Sequence, residues 1–103
     1  MIEIIINYEN DRIKGFSVRG HSKTAPHGED IVCAGVSAIT QTALLGLGKH
    51  LKRNVVYSVK SGDMFAELKD APDELTDAVL QTMCLGLKEI VKLYPKSVNM
   101  KVG

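Results

Sequence analysis

The chain has 103 residues, 45% of them hydrophobic and 24% charged, and 13 Lys and Arg against 12 Asp and Glu leave a formal net charge of +1. Those figures describe one globular domain, residues 1–103, rather than a disordered segment. So even a balance asks for neither nucleic acid nor an anionic membrane as a partner, and two cysteines do not make a disulfide framework. The opening residues Met1-Ile2-Glu3-Ile4-Ile5-Ile6-Asn7-Tyr8 carry no basic region and no small-residue cleavage site. No apolar run is expected to reach the roughly 20 residues that cross a bilayer. The expected location is the cytoplasm, with both thiols reduced. A domain this small buries only about two-thirds of its unfolded surface, which makes a homodimer a natural source of added stability.

Residues 2–8, β-branched and aromatic, predict a strand. Asn10-Asp11 turns the chain, and Arg12 to Arg19 predicts the second strand of an antiparallel hairpin. Residues 20–29 hold Gly20, Pro26 and Gly28 among polar residues, which is loop chemistry. From Asp30, read as an N-cap, to about Leu51 the period becomes helical, with Val32, Val36, Ile39, Ala43 and Leu47 on one face and Leu44 and Leu45 widening it. Gly35, Gly46 and Gly48 in that helix imply close approach of another backbone, and Asn54 is a residue able to end it. Lys49, His50, Lys52 and Arg53 suit a helix C-terminus better than an RNA-binding patch.

Val55 to Val59 predicts a strand, Ser61-Gly62-Asp63 a turn, and Met64 to Leu68 the returning strand. Asp70 as cap and Pro72 as first residue predict a second helix, with an apolar stripe of Leu75, Val79, Met83, Leu87, Ile90 and Tyr94 closed by Pro95. Val98 to Val102 suits a short edge strand. The order ββαββα is that of an α+β domain, an antiparallel or mixed sheet with two helices on one face.

His21 and Cys33 bracket the loop, and Cys33 opens the longest helical pattern in the chain. With Asp30 as cap, Cys33 falls near the third helical position, where backbone N–H groups lack intrahelical partners. Such a place favours the thiolate, the nucleophilic form of cysteine. His21 is available to take the thiol proton and return it to a leaving amine, and first-turn N–H groups to hold an oxyanion. Ser37, one turn beyond Cys33, can touch the thiolate or the substrate backbone. Asp30 can orient His21, although capping is the simpler role. Gly20, Pro26 and Gly28 give the intervening loop the means to close over a peptide, drawing together a His21 and Cys33 held apart in the free state.

Each residue also has a plainer reading. A cysteine on a buried helix is commonly a small core hydrophobe. His21 can satisfy a turn, Ser37 can bond back to its own helix, His27 can be a solvated loop residue, and Cys84 beside Met83 can be packing. His21, His27, Asp30 and Cys33 are all zinc-ligand types, but without a Cys-x-x-Cys pair. A loop that only grips a peptide, without cutting it, uses the same residues.

The stretch Gly20-His21, then Gly28-Glu29-Asp30-Ile31-Val32-Cys33-Ala34-Gly35-Val36-Ser37, closely resembles the bacterial ribosomal-processing cysteine protease family. The likeness continues in Ser61-Gly62-Asp63 and Leu80-Gln81-Thr82-Met83; Ser22 departs from the small apolar residue often found after the histidine. It implies that His21 and Cys33, twelve positions apart, are the catalytic pair, supported by Asp30 and Ser37. It further implies removal of the N-terminal extension from the precursor of large-subunit ribosomal protein twenty-seven, by a homodimer without metal or organic cofactor. The implied substrate is an extended, largely apolar peptide with aromatic residues just before the cut.

Overall fold

The computed structural model describes residues 1–21 and 26–103, with side chains in the opening of the first helix described from Ile31 onward. Strands β1 (Ile2–Glu9) and β2 (Arg12–Arg19) pair antiparallel around Asn10, whose φ of 57° is a left-handed conformation that asparagine tolerates. Helix α1 (Pro26–Leu45) runs into a wider π turn at Gly46–His50. Strands β3 (Val55–Lys60) and β4 (Asp63–Leu68) make the second hairpin, followed by helix α2 (Glu74–Leu93) and strand β5 (Val98–Val102). The sheet order is β3-β4-β2-β1-β5, and β5 runs parallel to β1, so the sheet is mixed. The expected α+β order ββαββα with a C-terminal edge strand is the observed one.

Alternation decides which face of the sheet is covered. Register sets Ile6 opposite Phe16, Phe16 opposite Ala66, and Ile4 and Met64 on either side of Val18, so one apolar row crosses three strands. Against that row α1 buries Val32, Val36, Ala43 and Leu47, and α2 buries Leu80, Met83, Cys84 and Leu87. The helices approach each other through glycine. A Cβ on Gly35 would lie 3.3 Å from Ile90 Cδ1, and one on Gly86 3.3 Å from Ile39 Cδ1, so each glycine receives a branched side chain from the facing helix. Gly48 meets nothing within 4 Å, so close packing accounts for Gly35 but not for Gly48.

Four local expectations are corrected. Helix α1 starts at Pro26, not after Asp30, because proline needs no donor in a first turn. Pro26 and Gly28 are therefore helical rather than loop residues, and Asp30 is inside the helix, not at its cap. At the other end Lys52, with φ 57°, takes the left-handed position after the π turn, ahead of Asn54. The cap of α2 is Asp73, not Asp70: its Oδ1 accepts from the N–H of Leu75 at 2.9 Å and of Thr76 at 3.0 Å, while Thr76 Oγ1 accepts from Asp73 N–H at 2.9 Å. Finally, Ile31–His50 is 20 residues long and apolar enough, by length and composition, to cross a membrane. Here Val32, Val36, Ala43 and Leu47 of that stretch are core residues of the α+β domain.

The basic residues after α1 act locally. Lys49 and His50 lie in the last helical turn, and Arg53 pairs with the cap of α2, Nη2 to Asp73 Oδ2 at 2.9 Å. The Thr76 backbone N–H above all, and the Arg53 guanidinium with it, hold the Asp73 carboxyl below its ordinary range. A carboxyl lowered in the folded state adds stability above its unfolded pKa, and that stability is lost as pH falls through the folded value. Asp73→Ala is thus expected to lower Tm by about 5 °C at pH 7, with a difference from the parent that shrinks below about pH 4. Melting curves from pH 2 to 7 check this; a constant difference across the range is the contrary result.

Candidate active site

His21 and Cys33 line one cleft of about 330 Å³, together with Ser37 and Gln41 of α1, Gly20 at the end of β2, and Val59 to Met64 of the second hairpin. The sheet supplies one wall and α1 the other. Cys33, Ser37 and Gln41 recur every fourth residue, so they form a single stripe along the helix facing the hairpin. Cys33 is half-buried and unbridged, with its side chain against the core and its cleft side open.

Its place in the helix differs from the sequence expectation. Cys33 is the eighth residue of α1, so the unpaired N–H groups of the first turn lie between about one and two turns before it. The thiol is thus not a helix-terminus thiol, and among the described residues the groups across the cleft from it belong to the end of β2 and the second hairpin. The hydroxyl that bonds back into α1 is that of Thr40, on Val36 O at 2.8 Å, and Ser37 lines the cleft.

His21 sits just past β2, held by three contacts. Gly20 N–H donates to Gly62 O at 2.9 Å, and the Met1 nitrogen donates to His21 O at 2.9 Å. The third contact is steric: the His21 ring lies over Gly62, where a Cβ would meet its Nε2 and stand 2.7 Å from Cε1 and 2.9 Å from Cδ2. Gly62 also has φ +73°, a conformation in which side chains are strained. The turn between β3 and β4 is thus a seat for the imidazole. Gly20, expected in the moving loop, is tied instead: at φ +95° its Cα faces the Met1 carbonyl, which leaves no room for a Cβ.

The structure therefore brings His21, Cys33 and Ser37 together. Asp30 and His27 have side chains outside the described residues, so the orienting role of Asp30 and the zinc set His21, His27, Asp30 and Cys33 both fall there. Loop closure rests on residues 22–25, which also lie outside them. Cys84 is buried in the core, as its packing role requires, and burial pushes its thiol pKa up. Met64 lines the cleft as expected, whereas Phe65 faces the opposite side of the sheet, since neighbouring strand residues point to opposite faces. Gln41 and Gly62 are cleft residues that the sequence reading passed over; the four-residue repeat from Cys33 through Ser37 signals the first of them.

Residues 1–99 match the family model for cysteine protease Prp. A ribosomal processing cysteine protease Prp from Staphylococcus aureus is 26% identical over 102 residues, 96% of this chain and 94% of that protein. The fold is shared with crystal structures of an essential ribosomal processing protease Prp from Staphylococcus aureus. One, in complex with a covalently linked product peptide, has a TM-score of 0.89 at 22% identity with 100% of each chain covered. The other, in complex with a substrate peptide, has a TM-score of 0.89 at 21% identity, again covering 100% of each.

Proposed function

The chain belongs to the cysteine protease Prp family, and we propose that it is the endopeptidase that removes the N-terminal extension from the precursor of large-subunit ribosomal protein twenty-seven. Membership makes it a cysteine protease and a hydrolase. The observation that carries the rest is the shared cleft of about 330 Å³, with a half-buried, unbridged thiol on one wall and an imidazole seated on the other. The related Staphylococcus aureus protease with its substrate peptide supports a peptide as occupant.

In this reading Cys33 Sγ, its proton passed to His21, attacks the carbonyl carbon before the cut. A C–S bond forms and the carbonyl π electrons move to oxygen. Collapse expels the amine, which leaves with the proton held by His21. Water then loses a proton to His21 and attacks the thioester, releasing the acid and restoring the thiol. Because the helix terminus is distant, the Ser37 hydroxyl, one turn along from Cys33, is the donor assigned to the oxyanion. Gln41, two turns along, is assigned to the substrate backbone.

Incubation with the extended precursor, followed by mass spectrometry of the new N-terminus and with Cys33→Ala as control, tests the assignment. A precursor left intact by the parent chain overturns it, and peptide affinity without cleavage would instead mark a binding module. The cytoplasm, where ribosomal proteins are made, is the proposed place of action. The enzyme is proposed to act as a homodimer, supported by an apolar groove of about 700 Å³ between α1 and α2, lined by Ile39, Ala43, Val79 and Met83. Sedimentation as a monomer at micromolar concentration is the result that removes the homodimer.

A further inference from the structure

Strand β3 is the edge of the sheet on the side of the cleft, and among the described residues no other strand lies beyond it in the sheet. Its backbone bonds can be assigned. Lys69 N–H donates to Asn54 O at 3.0 Å, which marks Asn54–Lys69, the pair just before the β3–β4 ladder, as a hydrogen-bonded one. Antiparallel pairs alternate between bonded and non-bonded. Continued along the register Val55–Leu68, Val56–Glu67, Tyr57–Ala66 to Lys60–Asp63, this ties Val56, Ser58 and Lys60 to β4. The N–H and C=O groups of Val55, Tyr57 and Val59 are then directed off the edge.

The same three residues lie on the helix side, because they stand opposite Leu68, Ala66 and Met64, all buried. Yet Tyr57 is 61% exposed and Val59 45%. The edge thus offers unpaired main-chain groups and uncovered apolar side chains at one set of alternate positions. Exposed edges are commonly blunted by charge, proline or brevity. These positions carry none of those devices, and the strand leads straight into the cleft, where Val59, Lys60 and Ser61 are lining residues.

We propose that the extended segment of the substrate next to the scissile bond adds to the sheet as a sixth strand, pairing with the outward groups of Val55, Tyr57 and Val59. Its side chains at alternate positions then rest beside Tyr57 and Val59, on the side facing α1, so an apolar segment is selected over a charged one. Added main-chain bonds provide affinity that is indifferent to sequence, and the alternate side-chain contacts provide selectivity. Pairing also keeps the segment extended, with its end delivered between His21 and Cys33. This deepens the protease assignment and rests on it.

The test is a backbone scan of a synthetic peptide spanning the precursor cleavage site, with one amide N-methylated at a time. Cleavage of the unmodified peptide, lost in Cys33→Ala, establishes the protease assignment independently of the scan. Edge pairing then requires that N-methylation at every second residue on one side of the cut raises KM by about tenfold or more, with the intervening positions tolerated. Tyr57→Pro removes an outward N–H while leaving the bonds to β4 in place, and it is expected to raise KM for the unmodified peptide by about tenfold, with Tm little changed. A scan without a two-residue period, or an unchanged KM in folded Tyr57→Pro, overturns the pairing.

Discussion

Cys33→Ala is expected to lower the rate of precursor cleavage by about four orders of magnitude or more, while peptide affinity stays within about threefold of the parent. The reason for so lopsided an effect is that the thiol forms the covalent bond, whereas binding is spread over the cleft walls. Cys33 is half-buried and contributes to the core only in part, so alanine in its place leaves the fold intact. An alkylating reagent is expected to reproduce the loss and to modify Cys33 before Cys84. Cys84 is buried, with 4% of its surface exposed, and burial raises its thiol pKa, which withholds the reactive thiolate. Peptide mapping after limited alkylation gives the order of labelling. Full modification at Cys33 with cleavage untouched would remove the thiol from the mechanism.

Gly62→Ala is expected to reduce kcat by about 100-fold, more than it changes KM, although Gly62 is a turn residue of the second hairpin and not itself a reacting group. The added Cβ would occupy the space of the His21 ring, at 2.7 Å from Cε1, so the imidazole must move. It would also place a side chain at φ +73°, costing about 1–2 kcal/mol in backbone strain. Gly62 is therefore a positioning residue. Its distinguishing readout is the His21 ring resonances, which should shift in Gly62→Ala, whereas a strained turn alone leaves them where they were. An unchanged kcat together with unmoved ring resonances would show that His21 does not depend on this seat.

The Gly62 prediction depends on a hairpin that the sequence describes well as a strand pair and poorly as part of a site. Ser61-Gly62-Asp63 between two β-branched and aromatic runs is enough to predict the turn. That the turn reaches His21, 41 positions earlier in the chain, follows only once β4 pairs with β2 and carries the turn to the end of the first hairpin. Gln41 is a similar case. Its spacing from Cys33 and Ser37 puts all three on one helix stripe, but a stripe of mixed polar residues does not say which wall it faces.

Asp30 and Asp70 are both good capping residues, and in each case the actual helix boundary lies elsewhere, at Pro26 and at Asp73. Capping preference ranks residues without saying which of several neighbours is used. At α2 the choice fell to Asp73 because Thr76 completes a reciprocal pair with it and Arg53, brought from the end of the first helix, reaches its carboxylate. The apolar stretch Ile31–His50 shows the same limit: its length and composition suit a bilayer, and only the sheet beneath it turns one of its faces into a core.

By itself the sequence determined the element order, the alternating and helical periods, and a histidine and cysteine in a distinctive motif, because these are encoded by neighbours within a few residues. The tertiary structure alone decided where α1 begins relative to Cys33, which turn seats His21, and which strand is left with free edge groups beside the cleft. Each of those depends on pairing between segments tens of residues apart, and register and packing between distant segments are set by the whole apolar face at once rather than by any local run.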